Sequence, residues 1–552
     1  MIDRYIPRSW GPALLVAAVG IMALLPAILL GIPDGPDIFN HYRFAVPFYD
    51  AILAGDLYPS WLALSNLGYG DPSFRFYPPG LYYLLAAFRL LTGDWHTASL
   101  WTFTLLSVVG GLGAYFWASA FVPRHLAMWA GVLYAFAPYR VNEIYEASLL
   151  AEYAGGAVLP FAFAFVERVC RTNRRRDTAG LAAAYALLLL THLPLTVVGS
   201  LSLGVYGLLC LEKGKACAAL LRLVAAVALG LVASSPYWMR MIPELSWIWS
   251  NNILHNDWYD YRHHFLFIDF DSKHVGIWWA NLLGLASIAM CLPALALIYR
   301  LPFEEKPARG ARAAGLVTLL SLLMATPVSR PVWAVMPMLH EVQFPWRWLA
   351  VTSATGAIAL AASLPLWKEA VRGPKRPLAL IAFGGVIMAI ALTLSSTMRA
   401  ANYFAPTEFN SRLQSIPGSP SIPYWLPIWT TEPPEAMVNP LDIGGRAYRV
   451  ASWKAERRIF DVAAGPATDA RVRTFFYPHW TATANGQSLP VRPEKDGAIL
   501  ISLPAEAVSV TLEFIEPTQV RVATIMGITG WISIFLLFAF GSRKPKSHAR
   551  FI

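Results

Sequence analysis

The sequence predicts a mostly α-helical polytopic membrane protein with about twelve transmembrane helices. Interfacial helices are expected in its first outer loop, and an extracytoplasmic, β-rich, sandwich-like domain near its C-terminus. Three observations lead there. Of 552 residues, 56% are hydrophobic and only 14% charged, with a mean hydropathy of +0.46. Runs of about 20 apolar residues, enough to cross a hydrocarbon core, recur along the chain. The basic residues gather in short clusters between those runs. A soluble domain carries about a quarter charged residues, so most of this chain is matched to lipid. The formal charge of +10 and a pI near 9.4 then report topology, and nucleic acid is not an expected partner.

Spans are expected near Gly11–Gly31, Ala98–Ala120, Leu126–Phe136, Ala154–Val169, Thr178–Leu190 and Leu195–Cys210. Others follow near Ala216–Ala233, Gly276–Ile298, Ala313–Ala325, Trp346–Leu366, Leu378–Leu394 and Val520–Phe540. The first apolar run, after MIDRYIPRSWGP, is longer than a signal-peptide core and ends in GIPDGPD without a cleavage site, so it is read as a retained span. With a cytoplasmic N-terminus, the clusters at Arg124, Arg171 to Arg176, Lys213 and Lys215, Arg300 to Arg312, Lys368 to Arg376 and Arg543 to Lys546 all fall inside. That parity requires YYLLAAFRLL, with Arg89 in the run, to lie at the interface. Both termini are then cytoplasmic. Cys170, Cys210, Cys217 and Cys291 lie in or beside spans and show neither a disulfide framework nor a CxxC site.

The expected organisation is a transmembrane domain over 1–398, an extracytoplasmic β-rich domain over 399–519, and a last helix with a basic tail over 520–552. RAYRVASW, RRIFDVA, ARVRTFFY, AILISL and VSVTLEF read as strands, and Asn485–Gly486 is a two-residue hairpin signal.

The outer loops hold the candidate chemistry. Asp37 in PDIFNHYRF sits just past the first span, where a carboxylate suits a general base or a cation ligand; capping of an interfacial helix is the alternative. His41 follows on the same helical face, and Arg43 lies close by. In YRVNEIYEASLLAEYAG, Glu143 and Glu146 share a helix face beside Arg140 and are expected to face the same vestibule; an ion pair with Arg140 is the alternative. His192 in LLLLTHLPLT stands at a span boundary, either functional or capping. Arg262, His263, His264 and His255, in a Trp-rich loop, could meet phosphate or simply anchor the interface. Arg347 beside Gln343 and His340 suits a lipid-linked phosphate, or snorkels between Trp346 and Trp348. P-loop, GxGxxG, GxSxG and HExxH patterns are lacking, which removes support for nucleotide, dinucleotide and serine-hydrolase chemistry.

GPDIFNHYRF, LSNLGYGDPSFRFYPPGLYYL, LLTHLP, QFPWRWLA and FFYPHWTATANGQSLPV occur in this order along most of the chain. Together they resemble the YfhO-like bacterial membrane proteins, some labelled 6-pyruvoyl-tetrahydropterin-synthase-related, and more broadly the GT-C superfamily of integral-membrane glycosyltransferases. The resemblance implies an inner-membrane enzyme moving a sugar from a polyprenyl-phosphate-linked donor to an extracytoplasmic lipid, glycan or protein acceptor, with membrane lipids as surroundings. It places the catalytic acid of the first outer loop on Asp37 and acidic help on Glu143 or Glu146. Substrate contacts would come from His41, Arg43, Arg140, His192, Arg262, His263, Gln343 and Arg347. A single base favours inversion. Asp37 is followed by Ile38 and Phe39, not by a second carboxylate, so a requirement for magnesium or manganese stays open. The pterin label finds no zinc-binding histidine cluster. Two other readings stay open: a lipid or polysaccharide flippase, which calls for charged spans and related halves, and a non-catalytic assembly protein of the same fold.

Overall fold

A computed structural model describes residues 10–249, 259–269, 275–298, 300, 306–416, 419 and 425–541; at 275–277, 297, 306–308 and 397–400 it describes only the backbone. His255, residues 1–9 and the basic tail at Arg543 to Lys546 lie outside the described residues. Each expected span coincides with a helix. Among the described residues eight helices are long and apolar enough to cross a membrane, or nine if Arg309–Met324 and Pro327–Val335, bent by 88°, make one span. That is fewer than the twelve or so expected, because helices such as Gly11–Ala23 are short. The first span breaks at Leu24 into Gly11–Ala23 and Leu25–Leu30. Pro26 explains the break, since it offers no N–H and its ring clashes with the preceding turn. The expected interfacial segment is a 13-residue helix, Gly80–Thr92, about 20 Å long and shorter than a hydrocarbon core.

Local chemistry sets several helix starts. Asp94 accepts from Thr97 N at 2.9 Å and caps Trp95–Ala118, satisfying one of the orphan N–H groups of the first turn. Small residues then let helices approach: a Cβ on Gly131 would sit 2.7 Å from Gly111 O. Such close backbone contact is how apolar helices associate in lipid, where burial alone gives no drive. All four cysteines are free, Cys217 exposed and the other three buried.

The C-terminal strands form two antiparallel sheets. One is ordered Tyr448–Trp453, Arg457–Val462, Val508–Phe514, Trp480–Ala484, Gln487–Leu489; the other Leu441–Asp442, Thr468–Phe475, Ala498–Leu503, Val491–Pro493. Alternate residues of Trp480–Ala484 and Val508–Phe514 are buried, and inward residues of both sheets share one apolar core. Asn485 and Gly486 take φ of 50° and 80°, the left-handed pair that a tight hairpin needs. The chain just before the sheets goes elsewhere. Phe404 pairs with Ile32 in a short ladder, and Phe409 of helix Pro406–Gln414 meets the Tyr42 ring edge-on at 5.0 Å. This segment covers the first outer loop.

Arg75 ties that loop to the β sheets. It is fully enclosed, and its Nε and Nη2 donate to the two oxygens of Glu244 at 2.5 Å each. Its Nη1 donates to Glu516, 441 residues away, at 2.5 Å. Tyr477 donates to Glu244 at 2.6 Å, and His479 Nε2 lies 2.9 Å from the other oxygen. Replacing Arg75 by Met strands two carboxylates, and we expect a loss of about 3–5 kcal/mol, read as a lower thermal midpoint of the detergent-purified protein.

Burial opposes ionisation of Glu244, but hydrogen bonds from Arg75, His479 and Tyr477 outweigh it and lower its pKa from 4.5 to about 2. A depressed folded-state pKa contributes stability that is complete above about 4.5 and lost as pH falls through about 2. Thermal midpoints measured across that window should fall with pH in the native protein, and less steeply in Glu244→Gln.

Candidate active site beside Asp37

Asp37 stands at the N-cap of helix Ile38–Leu53, at the positive end of its dipole. Its Oδ1 accepts from Asn40 Nδ2 at 3.0 Å, and Asn40 Oδ1 accepts from Arg43 Nη1 at 3.2 Å. Arginine can only donate and an ionised carboxylate only accept, so this chain dictates which way the amide is assigned. Arg43 thereby steadies Asp37 through Asn40 without pairing with it. Asp37 is half-buried and has no ion-pair partner among the described residues.

His41, four residues on, is buried. Its Nε2 accepts the Leu150 N–H at 3.2 Å, which leaves Nδ1 to carry the proton and donate to Tyr82 Oη at 3.0 Å. Burial lowers its pKa to about 4 against the pull of Asp37, so the ring is neutral near pH 7 and fastens the first outer loop to the second. A second contact does the same. A Cβ on Gly35 would lie 2.4 Å from Ser148 Oγ and 2.9 Å from Glu146 O, so only glycine fits where the loops meet.

The second loop opens with helix Pro138–Tyr145, buried at every residue. Arg140 Nη1 donates to Glu143 Oε2 at 2.7 Å and to Tyr153 O at 2.8 Å, and Cζ lies 3.7 Å from the Tyr153 ring centre. Burial pushes Glu143 up to about 8, against the adjacent Arg140. Arg140 thus engages Glu143 Oε2, while Oε1 is buried with no hydrogen-bond partner among the described residues. Glu146, past the helix end, is half-buried, and desolvation raises its pKa.

Glu152 takes the inner position. Its Oε1 accepts from Tyr139 Oη at 2.9 Å, and Oε2 lies 3.1 Å from Arg347 Nε. Arg347 also donates through Nη1 to Val342 O at 2.7 Å and, weakly, to Gln343 Oε1 at 3.5 Å. Its Nη2 makes no hydrogen bond to a described residue. Gln343 holds φ of 65°, a strained value that fixes the turn before Arg347. His192 caps helix Leu193–Cys210 by accepting from Leu195 N at 3.3 Å. Burial, then the charges of Arg347 and His41, press its pKa well down.

One polar cluster results. Asp37, Arg347 and Glu152 all bear electrostatically on Tyr77, and Arg347 and His41 on His192. Four of the expected outer features thus converge: the Asp37 loop, the Glu143–Glu152 segment, the His192 turn and the Arg347 turn. Arg262 and His263 are exposed, and Asp260 forks Arg262 at 2.6 Å. Their neighbour His264 is the buried one, edge-on to Phe344 and Trp346 at 4.9 and 5.1 Å. Tyr77, Tyr82 and Tyr139 were not among the sequence candidates, and Glu152 stood only as a further acid of the second loop, with no role assigned. Glu152 lies nine residues beyond Glu143, on the next helix, and its only sequence signal is a carboxylate inside an apolar run. Among the described residues no group of three or more His, Cys, Asp or Glu is disposed to hold a metal ion. Glu143 Oε2 and Glu152 Oε2 each face an arginine.

A family described as a 6-pyruvoyl-tetrahydropterin synthase related domain of membrane proteins matches residues 74–406. The chain belongs to this family. Its matched region starts after Asp37 and takes in the Glu143, Glu152, His192 and Arg347 elements. No curated protein matches the sequence. ArnT from Cupriavidus metallidurans, solved with undecaprenyl phosphate, is similar at TM-score 0.45 and 16% identity, over 74% of this chain and 75% of that one. The oligosaccharyltransferase of Archaeoglobus fulgidus follows at 0.47 and 10%, over 71% and 56%. The arabinosyltransferase EmbB of Mycobacterium smegmatis is similar at 0.38 and 12%, over 92% and 63%.

The Arg347–Glu152 pair yields a test by double-mutant cycle. Arg347→Gln and Glu152→Gln each leave a buried partner unmatched, with an expected loss of about 3–5 kcal/mol, and the double variant should recover a large part of it. Equal, additive losses in thermal midpoint would show that the two side chains do not interact.

Proposed function

We propose that this membrane protein transfers a sugar from a polyprenyl-phosphate-linked donor to an extracytoplasmic acceptor, with inversion and with Asp37 as general base. The observation that carries this reading is the contrast among its carboxylates. Glu143 and Glu152 are each buried against an arginine, whereas Asp37 is half-buried, held by one amide and unpaired. Of the three it is the one that is half-buried at the edge of the cluster with no arginine against it, and so the one placed to take a proton from an incoming acceptor. His41 is unsuited to that part, because both ring nitrogens are engaged.

In the proposed reaction the acceptor hydroxyl gives its proton to Asp37, and its oxygen bonds to the anomeric carbon. The bond from that carbon to the phosphate oxygen breaks, and the lipid phosphate leaves with the electron pair. Arg347 Nη2 supplies a charged donor for the phosphate. Its Nε contact with Glu152 holds the guanidinium in place. An apolar groove of about 490 Å³, lined by Val158, Phe161, Leu187, Trp531 and Phe535 among others, suits the isoprenoid tail. Val158 shares a helix with Glu152, so tail and phosphate would lie along one element.

The purified protein, offered polyprenyl-phosphate sugars and a mixed acceptor panel, should form glycosylated product with inverted anomeric configuration by NMR. Activity should survive a divalent-metal chelator. Retained configuration would place a nucleophile in the site. Net movement of the lipid-linked sugar across a vesicle without transfer would support the flippase reading.

A further inference from the structure

Arg458 lies on strand Arg457–Val462, in register with Trp453 on one side and Leu512 on the other. Its side chain shares the inward face with Phe460 and Val462 and is fully enclosed. Here the β unit breaks the rule kept at Arg75, Arg140 and Arg347, each of which meets a carboxylate. Nε, Nη1 and Nη2 of Arg458 have no acceptor among the described residues, and neither has Nε1 of Trp480. The guanidinium carbon lies 4.5 Å from the Trp480 ring centre and 5.0 Å from that of Trp453. Indole faces can balance part of the charge. They accept nothing from the in-plane N–H groups, which point outward from the edge of the fork. The charge that bears on Arg458 is a second cation, Arg473, and burial with this repulsion lowers its pKa to about 9. Arginine does not release its proton in proteins, so the site holds a permanent cation with unused donors.

We propose that the β unit binds an oxyanion, a carboxylate or phosphate group on a ligand, at Arg458 and Trp480 Nε1. A planar two-oxygen group matches the fork bidentately, and the indole N–H offers a further donor. Trp453, whose ring lies against the guanidinium, is half-buried on the edge strand of its sheet, so the site lies next to the sheet's open edge. The inference is independent of the sugar-transfer reading, since it uses no residue of the Asp37 cluster.

The test uses the full chain in detergent, titrated with glucuronate, glucose 1-phosphate, inorganic phosphate and glucose, with heat of binding and thermal midpoint as readouts. Binding of glucuronate or glucose 1-phosphate but not glucose is expected, and inorganic phosphate shows whether the sugar contributes. In Arg458→Met the affinity should fall by about tenfold or more. Arg458→Lys, which keeps the charge and loses the fork, should bind more weakly than the native protein. The Met variant should be at least as stable as the native protein without ligand, because it removes an unpaired buried charge. The proposal is overturned if none of the three anions binds, if Arg458→Met binds them with native affinity, or if the Met variant is destabilised and no anion raises the native midpoint.

Discussion

A guanidinium shut away from water has to draw acceptors to itself, and Arg75 does so across the whole chain. Its partners, Glu244 and Glu516, come from the helix Ser235–Glu244 and from the junction between the last strand and last helix. Isolated, each buried charge would cost several kcal/mol; together they make one neutralised knot with Tyr477 and His479. The loop that starts at Gly31 is therefore gripped at its far end by the sheets. At its near end the Ile32 to Phe404 ladder and the His41 bond to Leu150 hold it to the bundle. Between those anchors Asp37 has a fixed position, which is what a proton acceptor requires.

Much of this fold was legible in the chain. Apolar runs placed the helices of the expected spans, because lipid demands helices and hydropathy is local. The Asn485–Gly486 turn was readable because both residues tolerate positive φ. Asp37, His41, His192 and Arg347 were also readable, as polar residues at the ends of apolar runs, and the structure places them in one cluster. A local pair, Arg140 with Glu143, was readable as one alternative, but such signals cannot carry partnership between distant segments. The sequence shows Arg347 as a cation at a membrane surface, but its pairing with Glu152 exists only after two helices pack. Glu143 and Glu146 share a period of three, yet a break after Tyr145 and φ of 52° at Ser148 turn the chain and separate their surroundings. Tyr403–Gln414 reads as the start of the β-rich part and instead lies over the first loop. Arg458 sits in RRIFDVA like any strand arginine, and nothing local says that it faces inward.

The site divides its carboxylates by environment. Glu143 and Glu152 hold arginines and shape the cluster. Asp37, steadied through Asn40 by Arg43, stays half-open at its edge. That division, more than any one distance, supports chemistry at Asp37, and it predicts that donor binding and turnover can be separated. The most direct measurement compares the native protein with Asp37→Asn for donor affinity and for single-turnover transfer. On this account the variant binds donor with native affinity, and its transfer rate falls by about two to four orders of magnitude. Native transfer by Asp37→Asn would contradict it.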